Sequence, residues 1–197
     1  HKVAPALASG CPVIVKPAPQ APGASVLLAE VFEKAARECA DVREAIPLAA
    51  LQVLSASNEV TALAVRDDRI STLSFTGSDK VGWMLQAQAI KKKLILELGG
   101  NAAVIVCEDA DLERAAARCA VCAFSYAGQI CISVQRIFVH ASVAVKFEEM
   151  LVRETKKLGV GDPSDPKVLV GPVIDSNAAK RLTDWIDEAK RAGARVV

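Results

Sequence analysis

The chain is predicted to be an α/β protein with parallel strands, on three observations. Short β-branched or apolar runs alternate with stretches whose apolar residues recur at helical spacing. Glycine or proline punctuates the ends of most of these runs. Apolar residues make up 52% of the 197, and 34 residues are alanine against 8 aromatics. That composition suits helices packed closely on a sheet and argues against long disorder. At about 100–200 residues per domain, the length allows one large domain or two small ones.

Taken in order, Cys11-Pro-Val-Ile-Val15 reads as a strand, followed by a turn through Pro17, Pro19 and Pro22. From 25 to about 40, Leu27, Leu28, Val31, Phe32, Ala35 and Ala36 fall on one helical face. A strand over 51–54 and a short helix over 59–66 follow. Next come a strand over 71–75, a turn at Gly77, a helix over 79–90, and a strand over 93–98 closed by Gly99-Gly100. The pattern then restarts, which places the expected domain boundary between residues 98 and 99. A strand over 103–107 leads to Glu108, Asp109 and Asp111, whose negative charge complements the start of a helix running to about 127. The remainder reads as a strand over 136–140, a helix over 142–158, a loop through Gly161-Asp-Pro and Gly171-Pro, a helix over 176–191 and a strand over 194–197. Opening on His1 without an initiator Met or a leader, and closing on a strand, the stretch is expected to be an internal piece of a longer protein.

Lys and Arg number 24 against 23 Asp and Glu, a net charge of +1. Such balance lacks the field of a nucleic-acid or acidic-membrane binder, so neither partner is expected. No apolar run approaches the 18 or so residues of a spanning helix. Six cysteines without any secretion signal point to buried or reactive thiols in a reducing compartment, and a cytoplasmic location is expected. Cys119 and Cys122 form a single CxxC, and the only histidines are His1 and His140, so no metal is expected. Leu112, Ala115, Ala116, Cys119, Cys122, Ala123 and Tyr126 instead recur at helical spacing as a small-residue packing face. Lys91-Lys92-Lys93 reads as a solvated helix end.

Four places carry chemistry. Phe75-Thr-Gly-Ser-Asp-Lys-Val-Gly82 sets glycines between a strand and a helix; the turn is either purely structural or offers backbone amides and a helix N-terminus to a pyrophosphate. Lys16 ends its strand, where ligands of open α/β sheets bind. Glu97 interrupts the apolar run Leu94, Ile95, Leu96, Leu98, where a buried carboxylate is expected to have a raised pKa. Cys131 lies in a segment free of charged residues from 119 to 135, and its thiolate would be a strong nucleophile with a carboxylate as base.

Together, Lys16-Pro-Ala18, Phe75-Thr-Gly-Ser78, Glu97-Leu-Gly-Gly100 and Gly128-Gln-Ile-Cys131, with the thiol 34 positions after the carboxylate, strongly resemble the aldehyde dehydrogenase superfamily. The resemblance extends from Lys2-Val-Ala-Pro-Ala-Leu-Ala to Val160-Gly-Asp-Pro163 and Val170-Gly-Pro172. Leu73-Ser-Phe-Thr-Gly-Ser78 and Cys131-Ile-Ser-Val-Gln-Arg136 look like its lactaldehyde dehydrogenase-like branch. It implies a Rossmann-like parallel-sheet cofactor domain, whose C-terminal part is residues 1–98, followed by the N-terminal part of an α/β catalytic domain, residues 99–197. It further implies NAD(P)-dependent oxidation of an aldehyde to an acid. Cys131 matches the nucleophile that forms a thiohemiacetal and then a thioester, and Glu97 the base that activates water; this argues against acyl-CoA-forming relatives. Thr76, Gly77 and Ser78 match the turn at nicotinamide and pyrophosphate, Lys16 the adenosine-ribose lysine, and Lys2 a lysine on the nicotinamide side. Leu98 and Gly99 match residues lining the same end of the cofactor site.

The departures are informative. Many NAD-preferring relatives carry Glu three residues after the lysine, whereas Pro19 stands here, so NAD and NADP both stay open. Ile130 and Ile132 flank the nucleophile, which favours a small or apolar aldehyde over an anionic one. Arg136, at the start of a strand, is expected to be structural. The family's oxyanion Asn would precede Lys2 and its later ribose-binding acid would follow Val197, so this stretch alone is expected to be inactive. Losing one oxyanion donor typically costs about 100- to 1000-fold in rate. Relatives are homodimers or homotetramers, which implies a homo-oligomer for the full-length enzyme. The rival reading is a truncated, non-catalytic product that binds nucleotide or a homologous subunit.

Overall fold

A computed structural model describes residues 1–39 and 46–197. These fall into two compact units, His1–Glu97 and Leu98–Val197. In the first unit, helix α1 (Val3–Ala8) precedes strand β1 (Val13–Val15) and helix α2 (Pro22–Glu38). Pro22 opens α2 at a first-turn position, where its missing N–H costs nothing and its φ suits a helix, so the helix starts earlier than its apolar face suggested. The expected end of this helix, Ala40, lies outside the described residues. A short 3-10 turn (Leu48–Ala50) leads into β2 (Leu51–Val53). Then follow α3 (Asn58–Arg66), β3 (Thr72–Thr76), α4 (Asp79–Gln88) and β4 (Lys93–Glu97).

The strands pair in parallel, as the alternating pattern predicted. β1 lies beside β2 with Val13 opposite Leu51, and β3 beside β4 with Thr72 opposite Lys93. Among the described residues of this unit the buried apolar side chains include Ala36, Ala50, Leu51, Val65 and Ala89. The residues expected on one face of α2 do lie in this helix, but only Ala36 is buried, and Val31 is 65% exposed. Among the described residues Leu27, Leu28 and Val31 stay exposed, and helical spacing by itself does not supply a partner. The lysine run also differs from expectation. Lys92 Nζ donates to the carbonyls of Asp67 (2.5 Å) and Ile70, so its charge ties down the loop before β3.

The second unit starts with β5 (Ala102–Val106), then α5 (Leu112–Phe124), β6 (Val134–Val139), α6 (Ala144–Thr155) and α7 (Ser176–Arg191). β5 and β6 pair in parallel with an irregularity between Ala102 and Ala103. Val106, Ala116, Cys119 and Phe147 form the buried core, flanked by Leu112, Ala115, Ile137 and Leu151. The packing face predicted for α5 is therefore present through Cys122, whereas Tyr126 lies beyond the helix and is exposed. Burial pushes the Cys119 thiol up, with the neighbouring Cys122 adding to the shift, which fits a packing role. Asp111 Oδ1 accepts from Arg114 N–H (3.1 Å) and Asp175 Oδ1 from Ala178 N–H (2.7 Å), capping α5 and α7. The strand expected over 194–197 has no ladder partner among the described residues, and Val196 and Val197 are exposed. A β-branched run becomes a strand only beside a neighbour that accepts its hydrogen bonds.

Candidate functional site

In the first unit the parallel register sets Thr76 opposite Glu97, at the carboxyl ends of β3 and β4. Gly77 N–H donates to the Glu97 carbonyl (3.0 Å), so the turn leaves β3 directly alongside that residue. A Cβ on Gly77 would lie 2.4 Å from the tip of the Phe75 ring, so a larger residue here requires that ring to turn aside. Ser78 is the N-cap of α4, its Oγ accepting from Val81 N–H (3.4 Å). Such a cap typically contributes about 0.5–2 kcal/mol. Thr76, Gly77 and Ser78 are all exposed at the N-terminus of a 10-residue helix. Asp79 in its first turn competes with any bound anion for the helix dipole.

Glu97 is exposed, which corrects the buried position inferred from its apolar neighbours. The alternation along β4 puts Leu94 and Leu96 half-buried on one face and Ile95 and Glu97 on the other, so its side chain shares the solvated face. Lys2, half-buried as the N-cap of α1, is close enough for their charges to interact. Burial lowers the Lys2 pKa below its usual value, and the Glu97 charge opposes that shift. Two residues 95 positions apart in sequence thus share one electrostatic neighbourhood. Lys16 is half-buried just past β1, in the other strand pair of the unit, and Pro19 follows in an exposed turn.

In the second unit Leu98 is half-buried and Gly99 exposed ahead of β5. Cys131 is exposed and is a free thiol, as are the other five cysteines. α5 stops at Phe124, and the next turn carries Tyr126, Ala127 and Gly128 at φ 53°, 56° and 73°. The left-handed region costs a non-glycine residue roughly 1–2 kcal/mol, so Tyr126 and Ala127 are held there by their surroundings. Ser133, 2% exposed, donates from Oγ to the Ala123 carbonyl (3.0 Å), and its N–H donates to Ile130 O (3.0 Å). A Cβ on Gly100 would stand 2.6 Å from the carbonyl oxygen of Cys131, so the second glycine of the pair lets the chain pass against the thiol-bearing residue. Gly99 has no such neighbour. Arg136 donates to Asn101 O (3.1 Å) and lies over the Phe138 ring at 5.8 Å, the structural use expected of it.

The sequence reading missed Ser133, Gly100 and Gln129 as supports. The glycine and the glutamine stood inside quoted motifs, but their partners are remote in sequence; nothing distinguishes Ser133 from the nearby Ser125. Among the described residues no group of three or more His, Cys, Asp or Glu side chains is placed to hold a metal ion, and no helix is long and apolar enough to cross a membrane.

The fold and these placements define an α/β protein with parallel strand pairs and its candidate residues on strand-end turns and loops. The sequence model of the aldehyde dehydrogenase family matches residues 1–197, and the chain belongs to that family. It is 40% identical over 197 residues to a 3-sulfolactaldehyde dehydrogenase of Priestia aryabhattai, covering 100% of this chain and 39% of the relative. It is 38% identical over 198 residues to a lactaldehyde dehydrogenase of Methanocaldococcus jannaschii, covering 100% of this chain and 42% of that one. The glyceraldehyde-3-phosphate dehydrogenase GapN of the same archaeon, solved with NADP, superposes with a TM-score of 0.89 at 39% identity, over 98% of this chain and 41% of that one. Solved structures similar to this chain include both NADP- and NAD-dependent enzymes. The chain therefore spans about 40% of the length of the curated relatives it matches.

Proposed function

We propose that the chain carries the cofactor turn and the nucleophile of an NAD(P)-dependent aldehyde dehydrogenase, with residues 1–98 serving cofactor binding and 99–197 beginning the catalytic domain. The observation that carries this reading is the register of β3 and β4, which sets the Thr76-Gly-Ser78 turn beside Glu97. That turn fits a dinucleotide: it is exposed, lies at strand carboxyl ends, and opens a helix whose first N–H groups lack helical partners. Lys16 would reach the adenosine ribose, and Lys2, Leu98 and Gly99 the nicotinamide end. Pro19 offers no carboxylate to repel a 2′-phosphate, so either NAD or NADP is accommodated. When bound, the nicotinamide ring accepts a hydride.

The Cys131 thiolate attacks the aldehyde carbonyl carbon, forming a C–S bond while the C=O π pair moves to oxygen, which gives the alkoxide of a thiohemiacetal. Loss of hydride from that carbon leaves a thioester on Cys131. Glu97 takes a proton from water, which attacks the thioester; the C–S bond breaks, the acid departs and the thiol is restored. Ile130 and Ile132 favour a small or apolar aldehyde, and Ile132 is 77% exposed beside the thiol. The sulfolactaldehyde-named relative argues for a sulfonate-bearing aldehyde in the test panel.

The test is NAD(P)H absorbance on the complete protein with short aldehydes and both cofactors. Cys131→Ala is expected to abolish turnover, and Glu97→Gln to leave a single burst of NAD(P)H with slow release of acid. Full activity of Cys131→Ala would remove the nucleophile assignment. Nucleotide binding without any turnover in the unsubstituted protein would favour a non-catalytic product. Comparable rates on the sulfonate-bearing aldehyde would overturn the apolar preference.

A further inference from the structure

Val170-Gly-Pro172 has no role in the chemistry above, yet the backbone around it meets the loop that carries Cys131. Tyr126 N–H donates to the Leu169 carbonyl (3.4 Å). The Gln129 side chain makes the remaining links. Its Nε2 donates to Tyr126 O (2.9 Å) and Pro172 O (3.4 Å), and its Oε1 accepts from Ile174 N–H (2.9 Å). Two carbonyls facing one end of the carboxamide and an N–H facing the other fix its orientation. The partner segment is itself anchored, through the parallel bridge of Val160 with Val170.

We propose that Gln129 is a positioning residue for Cys131, its carboxamide bracing the left-handed turn at 126–128 against the 169–174 segment. The proposal rests on the assignment of Cys131 as nucleophile. Without the brace the turn has fewer partners to hold Tyr126 and Ala127 at positive φ, and the thiol two residues further on loses its fixed approach to the carbonyl. A nucleophile displaced by about 1 Å loses up to about 100-fold in rate, while cofactor binding at a separate turn is untouched.

The test compares Gln129→Met, which keeps length and removes the three side-chain hydrogen bonds, with Gln129→Glu, which keeps the acceptor for Ile174 N–H and places an anionic oxygen against two carbonyls. In the complete protein, Gln129→Met is expected to lower kcat roughly ten- to a hundred-fold and to slow iodoacetamide labelling of Cys131, with KM for the nicotinamide cofactor unchanged. Gln129→Glu is expected to be impaired at neutral pH and to recover relative to the parent as the pH falls and its carboxyl regains a proton to donate. Hydrogen exchange at the Ile174 amide, faster in Gln129→Met and near parental in Gln129→Glu, reports the brace even in a variant too inactive to assay. Parental kcat and labelling in Gln129→Met, or an Ile174 amide unaffected by it, would overturn the proposal. Turnover persisting in Cys131→Ala would instead overturn the nucleophile assignment.

Discussion

The turn at 76–78 and the loop at 125–131 are both candidate site elements, and they are built in opposite ways. The first leaves a strand, takes its cap from its own Ser78 and meets Glu97 on the neighbouring strand, with no residue at positive φ. The second has three consecutive residues in the left-handed region and depends on Pro172 and Ile174, 43 and 45 positions from Gln129. A turn that takes its cap from its own residue is specified by residue types such as Ser and Gly. A loop whose partners are remote exists only after the second unit has folded, and it is where strain can be maintained.

The largest test of that contrast is Gly100→Ala. The added carbon would stand 2.6 Å from the Cys131 carbonyl, so the loop must shift; kcat is expected to fall about 100-fold, measured by steady-state turnover on the complete protein. Gly23→Ala in α2, with nothing within 4 Å of its added carbon, is the control and should hold or gain stability.

The paired substitutions Ser78→Ala and Ala127→Gly sharpen the comparison at smaller scale. Loss of the cap is expected to destabilise the protein by about 1 kcal/mol. Glycine at 127 relieves a left-handed alanine and should stabilise by up to about 1 kcal/mol after the entropy of glycine is counted. Denaturant unfolding reads both, and equal signs would show that the two regions do not differ in strain.

The smallest effect concerns Lys2. Its pKa is lowered in the folded protein, so the unfolded chain binds more protons just below the usual lysine value of 10.5. Stability should therefore rise with pH through that window, the cost of charged Lys2 being present below its folded pKa. Glu97→Gln removes the charge that opposes the shift, and NMR titration of the Lys2 side chain should then give a still lower pKa.

Much of the fold was legible because it is periodic. All six strands and the seven helices described here correspond to expected elements except the short α1, whose Val3–Ala8 stretch contains Pro5 and shows no long apolar face. The expected strand over 194–197 failed for want of a neighbour. At the candidate site, the strand-to-helix turn at 76–78 was visible in the sequence, whereas the exposure of the Cys131 thiol was not. The solvated side of Glu97 was not, because an apolar run does not reveal which strand face a carboxyl takes. Gln129 and Ser133 were invisible as supports, since hydrogen-bond partners brought together by folding leave no spacing signature. The same holds for Lys92, whose charge looked solvated until its carbonyl partners were known.

Residue order alone determined the periodic helices and the caps at Ser78 and Asp111, because each depends on neighbours within a turn or two of the chain, and the alternation of strand and helix stretches pointed to the parallel class. Tertiary structure decided which face of β4 bears Glu97, that Lys2 feels its charge, that Gly100 passes the Cys131 carbonyl, and that Gln129 joins 126 to 172–174. Those facts depend on distances through space between residues far apart in the chain, and only the packed backbone sets them.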